Sequence, residues 1–144
     1  MTASGIHKIE TILAIDPGTR KAGLAVIQSD GSVLDKRIIR DFADFKITLK
    51  RTIQVYKPSV MVIGNGTGFG IMRMIIEPMV GNAIPIETVD EKGSSEEARK
   101  EYMNRFRFLK RFVMTIAYIL GFWKMELDDD VAVIIGKRFL SSKK

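Results

Sequence analysis

Apolar positions along the chain repeat with two periods, and these predict its elements. Thr11–Asp16 and Ala22–Gln28 are short runs of β-branched and aliphatic residues, read as two strands. Between Gln28 and Val33 the segment SDGS (29–32) predicts a tight turn, because Asp-Gly readily supplies the positive φ of a hairpin. Val33–Arg40 is then a third strand, so the first three run antiparallel. From Asp44 to Tyr56 the pattern changes: Phe45, Leu49, Ile53 and Tyr56 recur every three or four residues, an amphipathic helix stopped by Pro58. Val60–Gly64 is wholly apolar, as expected of a strand covered on both faces. GNGTGFG (64–70) leads into a second helix through Met79, with Gly81-Asn82 as its exit. Ile84–Val89 reads as a fifth strand. Ser94 or Ser95, with Glu96 and Glu97 in the first turn, opens a long helix, and a last helix covers about Asp128 to Leu140.

The order βββαβαβαα predicts an α/β fold with a mixed five-stranded sheet and helices on both faces. It is the strand order of the ribonuclease H-like fold. A length of 144 residues suits a single domain over 1–144. At 46% hydrophobic residues, the chain is too apolar to be disordered.

Composition narrows the chemistry. The chain has no cysteine and one histidine, His7, which excludes disulfides, thiolate metal sites and histidine-rich sites. Oxygen ligands remain, and they favour hard cations such as Mg²⁺ or Mn²⁺. A formal net charge of +6 is compatible with a polyanionic partner. The start, MTASGIHKIET, has no apolar signal-peptide segment, and the longest apolar run, Phe112–Trp123, is shorter than the roughly 18 residues of a membrane span. A cytoplasmic location is the expectation.

The residue that asks for an explanation is Asp16. It ends an apolar strand, ILAID, just before Pro17-Gly18, where an unpaired buried charge would be costly. One reading makes it the cap of that turn, as Asp often is. The other makes it a metal ligand.

IDPGTRKAGLAV (15–26) resembles the first motif of the RuvC-like and YqgF-like nuclease family: an apolar strand, Asp, x, Gly, two or three residues, Arg or Lys, and Gly. VDEKGSSEEA (89–98) is similar to that family's segment after the fifth strand, and LDDDVAVIIGKRF (127–139) to its closing helix. VIGNGTG (62–68) is similar to the YqgF-like domain of Tex-type transcription accessory proteins. The resemblance covers almost the whole chain. It implies metal-dependent hydrolysis of structured nucleic acid, a DNA four-way junction or a ribosomal RNA precursor, by two cations about 3.5–4 Å apart. Asp16 would bridge both. Glu91 would come from just past a fifth strand placed next to the first, and Asp128 would point back from the closing helix. Gly18 would let backbone and phosphate approach closely.

Plainer readings stand beside these: Glu91 as a solvated surface residue, and Asp128, Asp129 and Asp130 as N-caps of the last helix. One of those three is expected to be the ligand, with Asp128 matching the family position. Junction resolvases carry a glutamate at the end of the fourth strand, where this chain has Gly64-Asn65-Gly66. The YqgF-like branch also lacks it and uses the glutamate after strand five, here Glu91. The Tex-type domain has lost parts of the site, so a non-catalytic nucleic-acid-binding or regulatory domain is the alternative function.

For nucleic acid, Arg20 and Lys21 follow the first motif, and GNGTGFG could cradle a phosphate, with Asn65 and Thr67 as its polar side chains, or simply turn the chain. ARKEYMNRFRFLKRF (98–112) interleaves basic residues, Arg107 and Arg111 among them, with aromatics. Tyr102, Phe106, Leu109, Val113, Ile116 and Leu120 fall at helical spacing, so most of the aromatics read as core or interface and the basic face as the nucleic-acid surface. The apolar stripe of 102–123 suggests a homodimer. The Asp-x-Gly-Thr of actin-like and sugar-kinase ATPases is set aside, because those proteins bind nucleotide between two such domains.

Overall fold

The computed structural model describes residues 10–104, 115–117, 119–121 and 128–143. Over these the chain forms strands β1 (Thr11–Pro17), β2 (Ala22–Gln28) and β3 (Val33–Ile39), helix α1 (Phe42–Tyr56), strand β4 (Val60–Gly64), helix α2 (Phe69–Val80), strand β5 (Ile86–Val89), helix α3 (Ser94–Asn104) and helix α4 (Asp128–Ser142). The sheet order is β3-β2-β1-β4-β5. β1–β2 and β2–β3 pair antiparallel, while β1–β4 and β4–β5 pair parallel. This is the ribonuclease H-like arrangement read from the element order, with β1 at the centre.

Alternation along the strands divides the core in two. Leu13 and Ile15 of β1, Leu24 and Val26 of β2, and Met61 and Ile63 of β4 face α1 and α2, where they meet Phe45, Leu49, Met72 and Ile76. Ile12, Ala14, Val60 and Val62 face the opposite way, toward Ala98 of α3 and Val131, Ile134, Ile135 and Phe139 of α4. Each such side chain taken fully out of water contributes roughly 1.5–3 kcal/mol, which explains why β1 from Ile12 to Ile15 and all of β4 carry no polar residue. No helix among the described residues is long and apolar enough to cross a membrane.

Several boundaries differ from those the pattern suggests. β3 stops at Ile39 and α1 begins at Phe42, two residues before Asp44, because Asp41 caps it: its Oδ1 accepts from the Ala43 N–H at 2.8 Å. The helix ends at Lys57 in the left-handed region (φ 47°), one residue before Pro58. β5 starts at Ile86, not Ile84, since Pro85 has no N–H to give the ladder. The larger correction concerns neighbours. β5 lies beside β4, and β4 separates it from β1, so Glu91 does not start out next to Asp16. Arg107, Arg111 and most of the 102–123 stretch assigned to a homodimer lie outside the described residues.

Candidate metal centre

Asp16 follows Ile12 and Ala14 at strand period, so it points to the α3/α4 side of the sheet. Its partner across the β1–β2 ladder is Gly23, and Gly64 ends the parallel neighbour β4 one position beyond the Ile15–Ile63 pairing. Asp16 is thus flanked on both sides by residues without side chains. What fills those two gaps defines the site.

Beside β4, the gap holds Glu91. A Cβ at Gly64 would lie 2.3 Å from Glu91 Oε2, and one at Gly66 only 1.6 Å from Oε1. The glycines of GNG therefore clear the path along which Glu91 crosses over β4 to reach Asp16. The end of β4 at Gly64 carries no side chain, and the Glu91 carboxylate from beyond β5 lies over it. The loop that carries it is pinned at several points. Asn65 Oδ1 accepts from the Glu91 N–H at 3.1 Å. The Ser94 N–H donates to the Glu91 carbonyl at 2.9 Å. Arg138 of α4 donates to the carbonyls of Asp90 at 2.8 Å and Lys92 at 3.1 Å, and to Glu97 at 2.8 Å.

Beside β2, the gap admits the start of α4. A Cβ at Gly23 would lie 1.7 Å from the Asp128 carbonyl oxygen. Gly136, one helical stretch later, plays the same part against Ala14 and Ile27. This close approach brings the Asp128 carboxylate into electrostatic range of Asp16. Its two neighbours turn elsewhere: Lys36 of β3 pairs with Asp130 at 2.5 Å and Asp129 at 3.5 Å. Asp128 itself pairs with Lys21 at 2.7 Å.

Three acidic groups brought together in a partly buried place repel one another. Burial pushes Asp16 up to about 7, helped by the charges of Glu91 and then Asp128 and by a hydrogen bond with Glu91, while Lys21 pulls the other way. Glu91 is also raised, chiefly by burial, with Asp90 adding to it. Glu91 Oε2 is buried and has no hydrogen-bond partner. An orphaned carboxylate oxygen beside a second carboxyl that resists ionising is what a pair of hard-cation ligands looks like before the cation arrives. Among the described residues, however, no three acidic side chains form a ready ligand cluster, and Asp128 is paired with Lys21. Asp16 and Glu91 are the part that fits directly.

The residues predicted to contact nucleic acid are placed unevenly. Arg20 and Thr67 are exposed near the site, Asn65 is exposed but engaged with the Glu91 loop, and Lys21 is engaged with Asp128. The glycines of GNGTGFG are accounted for by close contact: besides Gly64 and Gly66, a Cβ at Gly68 would lie 2.4 Å from the Gly18 carbonyl oxygen. Gly18 likewise serves the loop itself, since its Cβ would lie 2.2 Å from the Lys21 carbonyl oxygen. Sequence reading counted Gly23 only as the closing glycine of the first motif and missed Arg138. Gly23 falls in a strand interior, a sign of close backbone approach, but nothing in the chain announces the partners of Arg138.

The path of Glu91 can be blocked without harming the fold. Gly66 has no positive φ, and the atom its Cβ would meet is the tip of a flexible side chain. Gly66→Ala should therefore displace the Glu91 carboxyl, lower Mn²⁺ affinity by about ten-fold or more, and leave the melting temperature within about 2 °C of wild type. Mn²⁺ titration and thermal unfolding check both halves.

The fold and this carboxylate cluster define a RuvC-like, YqgF-like domain. Residues 10–111 match the Tex protein YqgF-like domain, and the chain belongs to that family. No curated protein matches the chain. Among solved structures it is similar to the Holliday junction resolvase of fowlpox virus, with 15% identity, a TM-score of 0.58, and 93% of this chain and 99% of that one covered. It is also similar to RuvC of Thermus thermophilus, with 11% identity, a TM-score of 0.55, and coverages of 92% and 95%. The Thermus enzyme bound to a Holliday junction substrate superposes with a TM-score of 0.56 at 10% identity over 93% of this chain and 95% of that one.

Proposed function

We propose that this domain is a divalent-metal-dependent nuclease acting on structured nucleic acid, branched DNA or folded RNA. The observation that carries the reading is Glu91 Oε2, buried and unpartnered beside an Asp16 whose ionisation is opposed by burial and by its acidic neighbours. Buried side-chain oxygens are as a rule given a donor, and this one has none although the carboxyl is otherwise hydrogen-bonded to Asp16 and to the Gly66 backbone.

Asp16 and Glu91 would hold the cation, Mg²⁺ or Mn²⁺, with Asp128 alongside; a two-metal scheme needs Asp128 as ligand of the second ion. When bound, the cation supplies an acidified water and neutralises charge on the phosphate. The protein's own residues do the rest. Asp16, pushed up to about 7 by burial and by its acidic neighbours, would have to give up its proton to serve as a ligand. Asn65 and Arg138 hold the Glu91 loop so that its carboxylate stays over β4. Arg20, exposed four residues after Asp16, would add positive charge for a phosphodiester.

A cleavage screen over four-way DNA junctions and structured RNAs with Mg²⁺ or Mn²⁺ tests the reading, with Asp16→Asn as control. Cutting by wild type and none by Asp16→Asn is the expected result. Binding without cutting would instead support a domain that kept the fold as a nucleic-acid-binding or regulatory module, a reading that the engagement of Asp128 by Lys21 favours.

Binding itself should be strongly salt-dependent, given the +6 net charge. Each phosphate contact contributes roughly 0.9 to the slope of log affinity against log salt. Charge reversal at both Arg107 and Arg111 should flatten that slope by about two if each meets a phosphate. An unchanged slope would make them a solvated face only.

A further inference from the structure

The turn after β1 does more than reverse the chain. Gly18 is pressed against the Lys21 carbonyl, which folds the loop back tightly, and the Lys21 side chain reaches the start of α4. There its Nζ lies 2.7 Å from Asp128 Oδ2, with both side chains more than half buried. The Asp128 backbone is seated on Gly23, which sets the point from which its side chain starts. The ammonium group therefore stands on the one carboxylate that a second metal ion would need, and its field reaches Asp16 as well.

We propose that Lys21 is a built-in second cation: the site takes a single divalent ion at Asp16 and Glu91, and the lysine ammonium holds the place of the other on Asp128. Charge balance supports the assignment. Asp16, Glu91 and Asp128 carry three negative charges when ionised, and one divalent ion with one lysine neutralises all three. A second divalent ion would have to displace an ammonium already paired in a half-buried setting, where exchanging one partner for another carries a desolvation cost. Lysine suits the role as a compact point charge on a flexible stem. Lys21 thus has a positioning role toward Asp128, distinct from the phosphate contact expected of it.

This assignment rests on the metal-centre reading, and Mn²⁺ binding without any substrate separates the two. Free Mn²⁺ is followed by electron paramagnetic resonance during titration of the full chain, with circular dichroism to confirm folding. Wild type should bind one Mn²⁺ per chain, lost in Asp16→Asn. Lys21→Met should bind two, the second lost in the Lys21→Met/Asp128→Asn double variant, and Lys21→Arg should return to one. Lys21→Gln repeats the test should Lys21→Met fail to fold. Two ions on wild type, or still one on the neutral Lys21 variants, overturns the role of Lys21 while the metal centre stands. No Mn²⁺ on any form overturns the metal centre and the role of Lys21 with it.

Discussion

Asp16→Asn should make the metal-free domain more stable at pH 8 than wild type and at the same time abolish its response to Mn²⁺. The folded domain pushes the Asp16 carboxyl up from 3.8 to about 7, through burial first and then through Glu91 and Asp128. Between those values the folded state holds a proton that the unfolded chain has released, so the stability associated with this group is full below about pH 4 and is lost as pH rises through about 7. At about 1.4 kcal/mol per pH unit the full shift would be worth about 4 kcal/mol; partial exposure and sharing of the proton with Glu91 bring the expected cost nearer 2 kcal/mol. Asparagine keeps the shape and removes the charge. In EDTA at pH 8, Asp16→Asn should therefore melt about 4–8 °C higher than wild type, and the difference should vanish near pH 4. Adding Mn²⁺ should reverse the order, since an ion at 100 times its Kd stabilises only the wild type, by about 2.7 kcal/mol. Equal melting curves at every pH, with and without Mn²⁺, would return Asp16 to the role of a turn cap.

Gly23→Ala should be the most damaging single methyl in the chain's β1–β2 ladder. The added Cβ would lie 1.7 Å from the Asp128 carbonyl oxygen and 2.2 Å from its carbon, both backbone atoms that no rotamer change can move. Helix α4 has to shift, and its packing on β1 and β2 through Ile134, Ile135 and Ala132 shifts with it. Overpacking of a tight interior costs 1–3 kcal/mol and occasionally more; about 3 kcal/mol, or roughly 8 °C in melting temperature, is expected here. The same movement takes Asp128 away from Asp16, so the Asp16 titration, followed by NMR, should fall toward the ordinary carboxylate range. Gly70→Ala is the control: its Cβ meets nothing within 4 Å in the first turn of α2, and the change should be neutral or stabilising by up to about 1 kcal/mol. If Gly23→Ala unfolds at the wild-type temperature, α4 does not sit on β2 as described.

The contrast between Gly23 and Gly66 states how the site is assembled. Both are flanking glycines, but one makes room for backbone and the other for a movable carboxylate. Substituting the first should disturb the fold, and substituting the second should disturb only the ligand.

The fold was legible in the chain because its signals are local. Alternation and apolar runs mark strands whose faces are both buried, and the spacing of Phe45, Leu49 and Ile53 marks a helix with one buried side; each follows from side-chain period and burial within a few residues. The sequence also determined that any metal site must be built of carboxylates, and it singled out Asp16 by the cost of leaving a charge at the end of an apolar strand. Sheet order was not legible at its far edge. Nothing local says whether β5 adds beside β1 or beside β4, since both are apolar on both faces, and only packing placed it outside β4. That one fact changes the meaning of GNG from a phosphate loop to a passage for Glu91. Likewise the chain could not say which of three consecutive aspartates faces the site, or that Lys21 answers Asp128 across more than a hundred residues. Those choices depend on where α4 comes to rest on Gly23, and contact between residues far apart in sequence is decided only when the whole core closes.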